Sequence, residues 1–180
     1  LEEYRVTIIA YKDGWCWADD LIFVGRMIVG REAKIVRAKN GTIAGAAGDA
    51  SACSLFLKWA EKGRRGKAPE VFTGEDKVEG AIVIERDGTI CDYSGPEPSR
   101  IKADHYAVGG AADIAIGAMM AGASAMEGVA IACKSFGWPA FLVGVNHDGE
   151  WAELDLRTVS EAAHHDRITR APAPLDGRRT

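Results

Sequence analysis

Four short turn signals constrain this chain more than any other feature. Lys12-Asp13-Gly14, Lys39-Asn40-Gly41, Arg86-Asp87-Gly88 and His147-Asp148-Gly149 each separate two runs of strand-forming residues. Asp-Gly and Asn-Gly accept the positive φ that tight hairpin turns demand. The flanking runs predict four hairpins: residues 6–11 with 15–18, 34–37 with 42–46, 81–85 with 89–93, and 141–146 with 151–154. Helical signals fall between the hairpins. Asp49 is placed to cap a segment reaching about residue 62, with an apolar stripe at Ala52, Cys53, Phe56, Leu57, Trp59 and Ala60. A second segment covers about 111–121 and stops at Gly122. Ser124 and Glu127 then form a capping-box pattern that opens a third, to about residue 134. Strands and helices do not alternate as βαβ units. The expected class is therefore α+β, with two antiparallel sheets and the helices outside them.

The 180 residues suffice for one domain with a substantial core, and 47% hydrophobic with 27% charged residues is a globular composition. The net charge is −4 and no basic stripe is interleaved with aromatics, so nucleic acid is not an expected partner. The basic clusters at residues 62–67 and at Arg178-Arg179 read as a solvated loop and a tail. Cys16, Cys53, Cys91 and Cys133 form no CxxC pair and no metal-like spacing with the four histidines. Each lies in an apolar run, as a small hydrophobe does, which fits a reducing, cytoplasmic setting. No apolar stretch approaches the roughly 20 residues of a membrane span, and the opening Leu-Glu-Glu-Tyr-Arg is not a secretory signal. The expected organisation is a leader-like extension at 1–6, a domain at 7–162, and a polar tail or docking arm at 163–180.

Three stretches, in this order, carry a resemblance. They are "TIIAYKDGWCWADD", a hairpin ending in acid; "GREAKIVRAKNGTIAGAAGDAS", a lysine ahead of a strand that leaves through Ala-Gly-x-Ala-Gly-Asp; and "HYAVGGAADIAIGAMMAGASAMEGVAIA", a strand running into a helix pair. Together they resemble the proteasome β-subunit and HslV-type family of N-terminal-nucleophile hydrolases, in particular the small bacterial and phage proteasome-like proteins, over roughly residues 6–145. The resemblance implies a four-layer αββα sandwich and stacked homo-oligomeric rings with active sites facing an inner chamber. It also implies a peptide or unfolded-protein substrate, an ATP-dependent unfoldase as a possible partner, and no cofactor or metal.

In such enzymes a threonine at the start of the chain attacks the scissile carbonyl. A threonine hydroxyl needs a base to take its proton, and the free α-amine of the same residue, with a reference pKa of roughly 7.7–8.0, can do so. A peptide nitrogen cannot, so residues 1–6 must be removed before Thr7, the matching residue, could work. Lys34 matches the lysine that would lower the amine pKa and stabilise developing negative charge. Asp19 matches the acid that orients it. Asp20 is the rival, because neighbours on a strand face opposite ways. Gly45 matches the oxyanion position, where a backbone N–H must approach substrate closely, and Ala47 is expected to face the substrate cleft. Asp49 is assigned to helix capping.

Each residue also has a plainer reading. Thr7 would be ordinary strand sequence, Lys34 an edge lysine paired with Glu32, and Gly45 a bulge or a tight packing point. The chain departs from the family pattern as well. Thr7 follows Val6, Gly109-Gly110-Ala111 lacks the usual central serine, "CKSFGWPA" offers Ser135 but no aspartate, and Trp15 and Trp17 are bulky for their strand. The alternative is therefore a catalytically inactive ring or shell subunit that assembles through the Ala/Gly/Met-rich helix pair at 111–133. Cys16, mid-strand, is a poor alternative nucleophile.

Overall fold

A computed structural model of the chain describes residues 7–24, 27–156 and 169–170. Six strands come first: β1 (Ile8–Lys12), β2 (Trp15–Asp19), β3 (Leu21–Val24), β4 (Met27–Arg31), β5 (Ile35–Arg37) and β6 (Ile43–Gly48). They lead into helix α1 (Ala50–Glu61). Then follow β7 (Val78–Ile84), β8 (Ile90–Tyr93), β9 (Ser99–Ile101) and β10 (His105–Gly109), and helices α2 (Ala112–Met120) and α3 (Ala125–Ser135). The described chain closes with β11 (Phe141–Asn146), β12 (Trp151–Asp155) and β13 (Thr169–Arg170).

All four expected hairpins form, as β1–β2, β5–β6, β7–β8 and β11–β12. In the first turn Asp13 and Gly14 take φ of 52° and 80°, the conformation that the dipeptide favours. Helix caps also follow the sequence signals. The Asp49 side chain accepts from the Ala52 N–H at 3.0 Å, and both halves of the Ser124–Glu127 capping box are present.

Every strand pairing is antiparallel. One sheet has the order β10-β1-β2-β11-β12-β13 and another β5-β6-β7-β8-β9, while among the described residues β3 and β4 pair only with each other. Three features go beyond the expectation. The β3–β4 hairpin arises from two apolar runs with only two residues between them. The short polar strand β9 adds to the edge of β8. Finally, two residues of the segment read as a tail pair with β12, Arg170 opposite Ala152. The leader at 1–6, the boundary at residue 162 and Arg178-Arg179 lie outside the described residues.

Three apolar clusters show what packs on what. The first joins the six-stranded sheet to α2 and α3 through Ile8, Ala10, Trp17, Ala115, Met119, Val129 and Leu142. The second joins the five-stranded sheet to α1 through Ala44, Ala46, Phe56, Leu57, Val83 and Tyr93. The third is made of residues from both sheets, with Ile9, Cys16, Ala18 and Val145 meeting Ile35, Ile43, Ile82 and Ile90. Period-2 alternation produces this directly: Ile8 and Ala10 face the helices, Ile9 and Tyr11 face the other sheet. The Lys12 ammonium ties β1 to the helix pair by donating to the carbonyls of Met119 (3.1 Å) and Ala123 (2.7 Å), a cation at a helix C-terminus.

Trp17 belongs to this helix-facing core, stacked on Trp15 at 5.8 Å between ring centroids. Its bulk is accommodated by Gly144 directly opposite on β11, where a Cβ would overlap the indole. Gly144→Ala is therefore expected to destabilise the chain by about 1–3 kcal/mol through overpacking. Thermal unfolding of Gly144→Ala, Trp17→Leu and the double variant checks this: the double variant should recover more stability than the two single losses allow for by addition.

Candidate active site

The turn at Asp13-Gly14 fixes which residues meet at the open end of the first hairpin. With Ile9 opposite Ala18, Asp19 falls opposite Ile8, one residue beyond Thr7. Asp19 is 2% exposed. One of its oxygens accepts from the Ile8 N–H at 2.7 Å, and the other accepts from Lys34 Nζ at 2.6 Å. Burial pushes the Asp19 carboxyl above its ordinary value, while the Lys34 ammonium and the N–H groups of Ile8 and Leu21 pull it down.

Asp20 points elsewhere. It is also buried, and its Oδ2 takes the Arg31 guanidinium, Nε at 2.6 Å, while that guanidinium lies 4.9 Å from the centre of the Phe141 ring. The two acids thus face opposite ways with separate cations, and Asp19 is the one that contacts Lys34. Glu32 does not pair with Lys34.

A cavity of about 470 Å³ opens beside this pair. Thr7 and Lys34 both line it, with Val36 and Ala46 from the sheet and Cys53 and Leu57 from α1. Thr7 is half-buried, and its backbone is fixed from both sides. Its carbonyl accepts from the Gly110 N–H at 3.1 Å, and Gly109, at φ +106°, packs so closely that a Cβ would collide with that carbonyl. The Gly109-Gly110 pair therefore serves the Thr7 backbone, although neither residue brings a hydroxyl.

Gly45 and Ala47 are placed differently from the expectation. A Cβ on Gly45 would meet Ile9 Cγ2 at 2.9 Å and Ile35 Cγ2 at 3.2 Å, so the missing side chain lets the two sheets approach. The Ala46 N–H donates across to the Lys34 carbonyl at 3.2 Å. Alternation along the strand then turns the Gly45 N–H the other way, toward β7, where Gly45 stands opposite Ile82. Ala47 is buried in the cluster between the sheets. The cavity is lined instead by Ala46 and Gly48. The positions that the resemblance implied, Gly45 and Ala47, thus stand one residue away from those at the cavity wall. The α1 stripe carried the corrective signal, because Ala44 and Ala46 are the residues that pack on it.

The remaining candidates lie apart from this site. The Ser135 hydroxyl donates to the Ala132 carbonyl at the end of α3. Cys16 is fully buried, and burial raises its thiol far above the ordinary range, which removes it as a nucleophile. All four cysteines are free thiols. Among the described residues no cluster of His, Cys, Asp and Glu is arranged to hold a metal, and no helix is long and apolar enough to cross a membrane. No protein-family model matches the chain, and no curated protein matches it.

Proposed function

We propose that this chain is a threonine peptidase subunit of the proteasome-like, N-terminal-nucleophile type, built as an αββα sandwich and working in a homo-oligomeric ring. The observation that carries the reading is one cavity lined by both Thr7 and Lys34, with Lys34 held by a buried Asp19 whose other oxygen grips the residue after Thr7. In a chain starting at residue 7, the Thr7 α-amine takes the hydroxyl proton as Oγ attacks a peptide carbonyl, and later returns a proton to the leaving amine. The Lys34 charge, on a residue that lines the cavity, favours the neutral amine and steadies the developing oxyanion. The Gly45 N–H faces β7, so Gly48 replaces it in this reading as the oxyanion donor. Gly48 lines the cavity at φ +131°, where the β6–β7 register shifts between Ala47 and Gly48.

The test is the state of the chain's start. Intact-mass analysis of the assembled protein should give a species beginning at Thr7, and that species should cleave fluorogenic peptides while the chain retaining residues 1–6 does not. Equal activity with and without residues 1–6 would remove the amine from the mechanism. The second reading, a non-catalytic ring subunit, is favoured by Gly110 standing where the family pattern has its central serine hydroxyl. It predicts a large oligomer by light scattering in which a chain beginning at Thr7 resists threonine-directed covalent probes.

A further inference from the structure

Lys34 sits on a short link. Glu32, Ala33 and Lys34 join β4 to β5 and belong to neither strand. The hairpin before them offers little support. Among the described residues β3 and β4 pair with neither large sheet, and Met27, Ile28 and Val29 of β4 are all exposed. Such a link keeps a side chain in one place only if it is tied to something firmer.

The ties on the β4 side converge on Asp20, which is buried. Its N–H donates to the Phe141 carbonyl at 3.1 Å, which fixes it to the six-stranded sheet. Its own carbonyl accepts from the Glu32 N–H at 2.8 Å. Its carboxylate holds Arg31, the last residue of β4, with Nε at 2.6 Å and Nη2 at 2.5 Å from the same oxygen, Oδ2. The other oxygen, Oδ1, is buried and has no hydrogen-bond partner, so among the described residues the guanidinium is the only side chain that serves this carboxylate. At the far end of the link the Lys34 carbonyl accepts from the Ala46 N–H at 3.2 Å. The link is thus pinned to one sheet through Asp20 and to the other through Ala46, and from it Lys34 Nζ reaches Asp19.

Arg31 is not part of the wall of the cavity that holds Thr7 and Lys34. Its influence on that cavity runs through what it holds. We infer that Arg31 is a positioning residue: clamped on Asp20, it fixes the link that presents Lys34 to Asp19 and to the Thr7 cavity. The effect on cleavage rests on the peptidase reading, whereas the hold on Lys34 does not.

Two readouts test this. The first is acylation of the lysines of the full, folded chain by an amine-directed reagent, followed residue by residue by mass spectrometry. In the parent the Lys34 side chain is 14% exposed and paired, so it should react slowly. The double variant Asp20→Asn with Arg31→Met removes the clamp and leaves no unpaired charge buried there. In it Lys34 should react about ten-fold faster. Lys12, tied to the carbonyls of Met119 and Ala123, should not change. Arg31→Lys should stay near the parent, because both guanidinium nitrogens serve one oxygen and an ammonium can serve it too. The second readout is cleavage by the chain beginning at Thr7. In the double variant kcat should fall by about ten-fold or more while KM stays within about two-fold. The rise of kcat/KM with pH should move to higher pH, because the Thr7 amine loses the cation that lowers its pKa. Arg31→Lys should restore both. The inference is overturned if Lys34 of the double variant reacts no faster than the parent's, if Lys12 quickens equally, or if Arg31→Lys reacts as fast as the double variant. It is also overturned if a parent that cleaves peptide keeps its kcat in the double variant. If no form cleaves peptide, while Lys34 alone gains reactivity and Arg31→Lys reverses the gain, the peptidase reading falls and the hold on Lys34 stands.

Discussion

Thr7→Ala, in a chain that begins at residue 7, is expected to lower kcat/KM for peptide cleavage by about 10⁴-fold or more, to the background left by binding alone. The residue is half-buried at the cavity wall, and its structural anchors are backbone groups. Stability should therefore move by no more than about 0.5–1 kcal/mol. Thr7→Ser keeps an attacking hydroxyl and should retain much of the rate. The pair of variants separates chemistry from packing: Ser restores function and Ala does not, while both melt near the parent. Cleavage that persists in Thr7→Ala would place the nucleophile elsewhere.

Lys34→Met is expected to affect both activity and stability. The Asp19 carboxylate is 2% exposed and Lys34 is its cation, so removing the ammonium leaves a buried charge held only by N–H donors. Breaking a buried pair in this way costs about 3–5 kcal/mol. The pH dependence has a definite sign. Burial already raises the Asp19 carboxyl, and loss of Lys34 raises it further above the unfolded value of about 3.9. Between those two values the folded state binds a proton that the unfolded state releases, so stability falls as pH rises through that window. The deficit of the variant should be smallest near pH 4 and grow toward neutrality. Asp19→Asn should cost less stability, because an amide oxygen still accepts the Ile8 N–H and the charge left unpaired, Lys34, is the more exposed of the two partners. The double variant should regain most of the lost stability and none of the activity. Melting curves across pH, with peptide cleavage alongside, check all three. A deficit independent of pH would mean that Asp19 is not the group left exposed to the change.

The hairpins and caps were legible because their causes are local. Asp13-Gly14 dictates a turn through its own backbone preferences, and Asp49 and Ser124 cap through oxygens that reach only three residues along. The pairing of Asp19 with Lys34 was legible in part. Counting from the turn places an acid at the open end of the hairpin, but which of two adjacent acids meets Lys34 depends on a second sheet, remote in sequence. Which residues of β6 reach the cavity was not legible for the same reason. Its residues from Ile43 to Ala47 are small or aliphatic on both faces, so no polar alternation marks which face is which, and only packing on α1 decides. The β3–β4 hairpin lacks alternation too, with Met27, Ile28 and Val29 all exposed and apolar in a row.

The way the Thr7 backbone is held has a consequence for timing. Its carbonyl is moored to Gly110, and the next N–H to Asp19. Both moorings lie downstream of the Val6–Thr7 peptide bond. Severing that bond would cut neither of them, so the carbonyl side of the new first residue would already be held at the cavity wall. The fold would carry the alignment of the reacting group before the group itself exists.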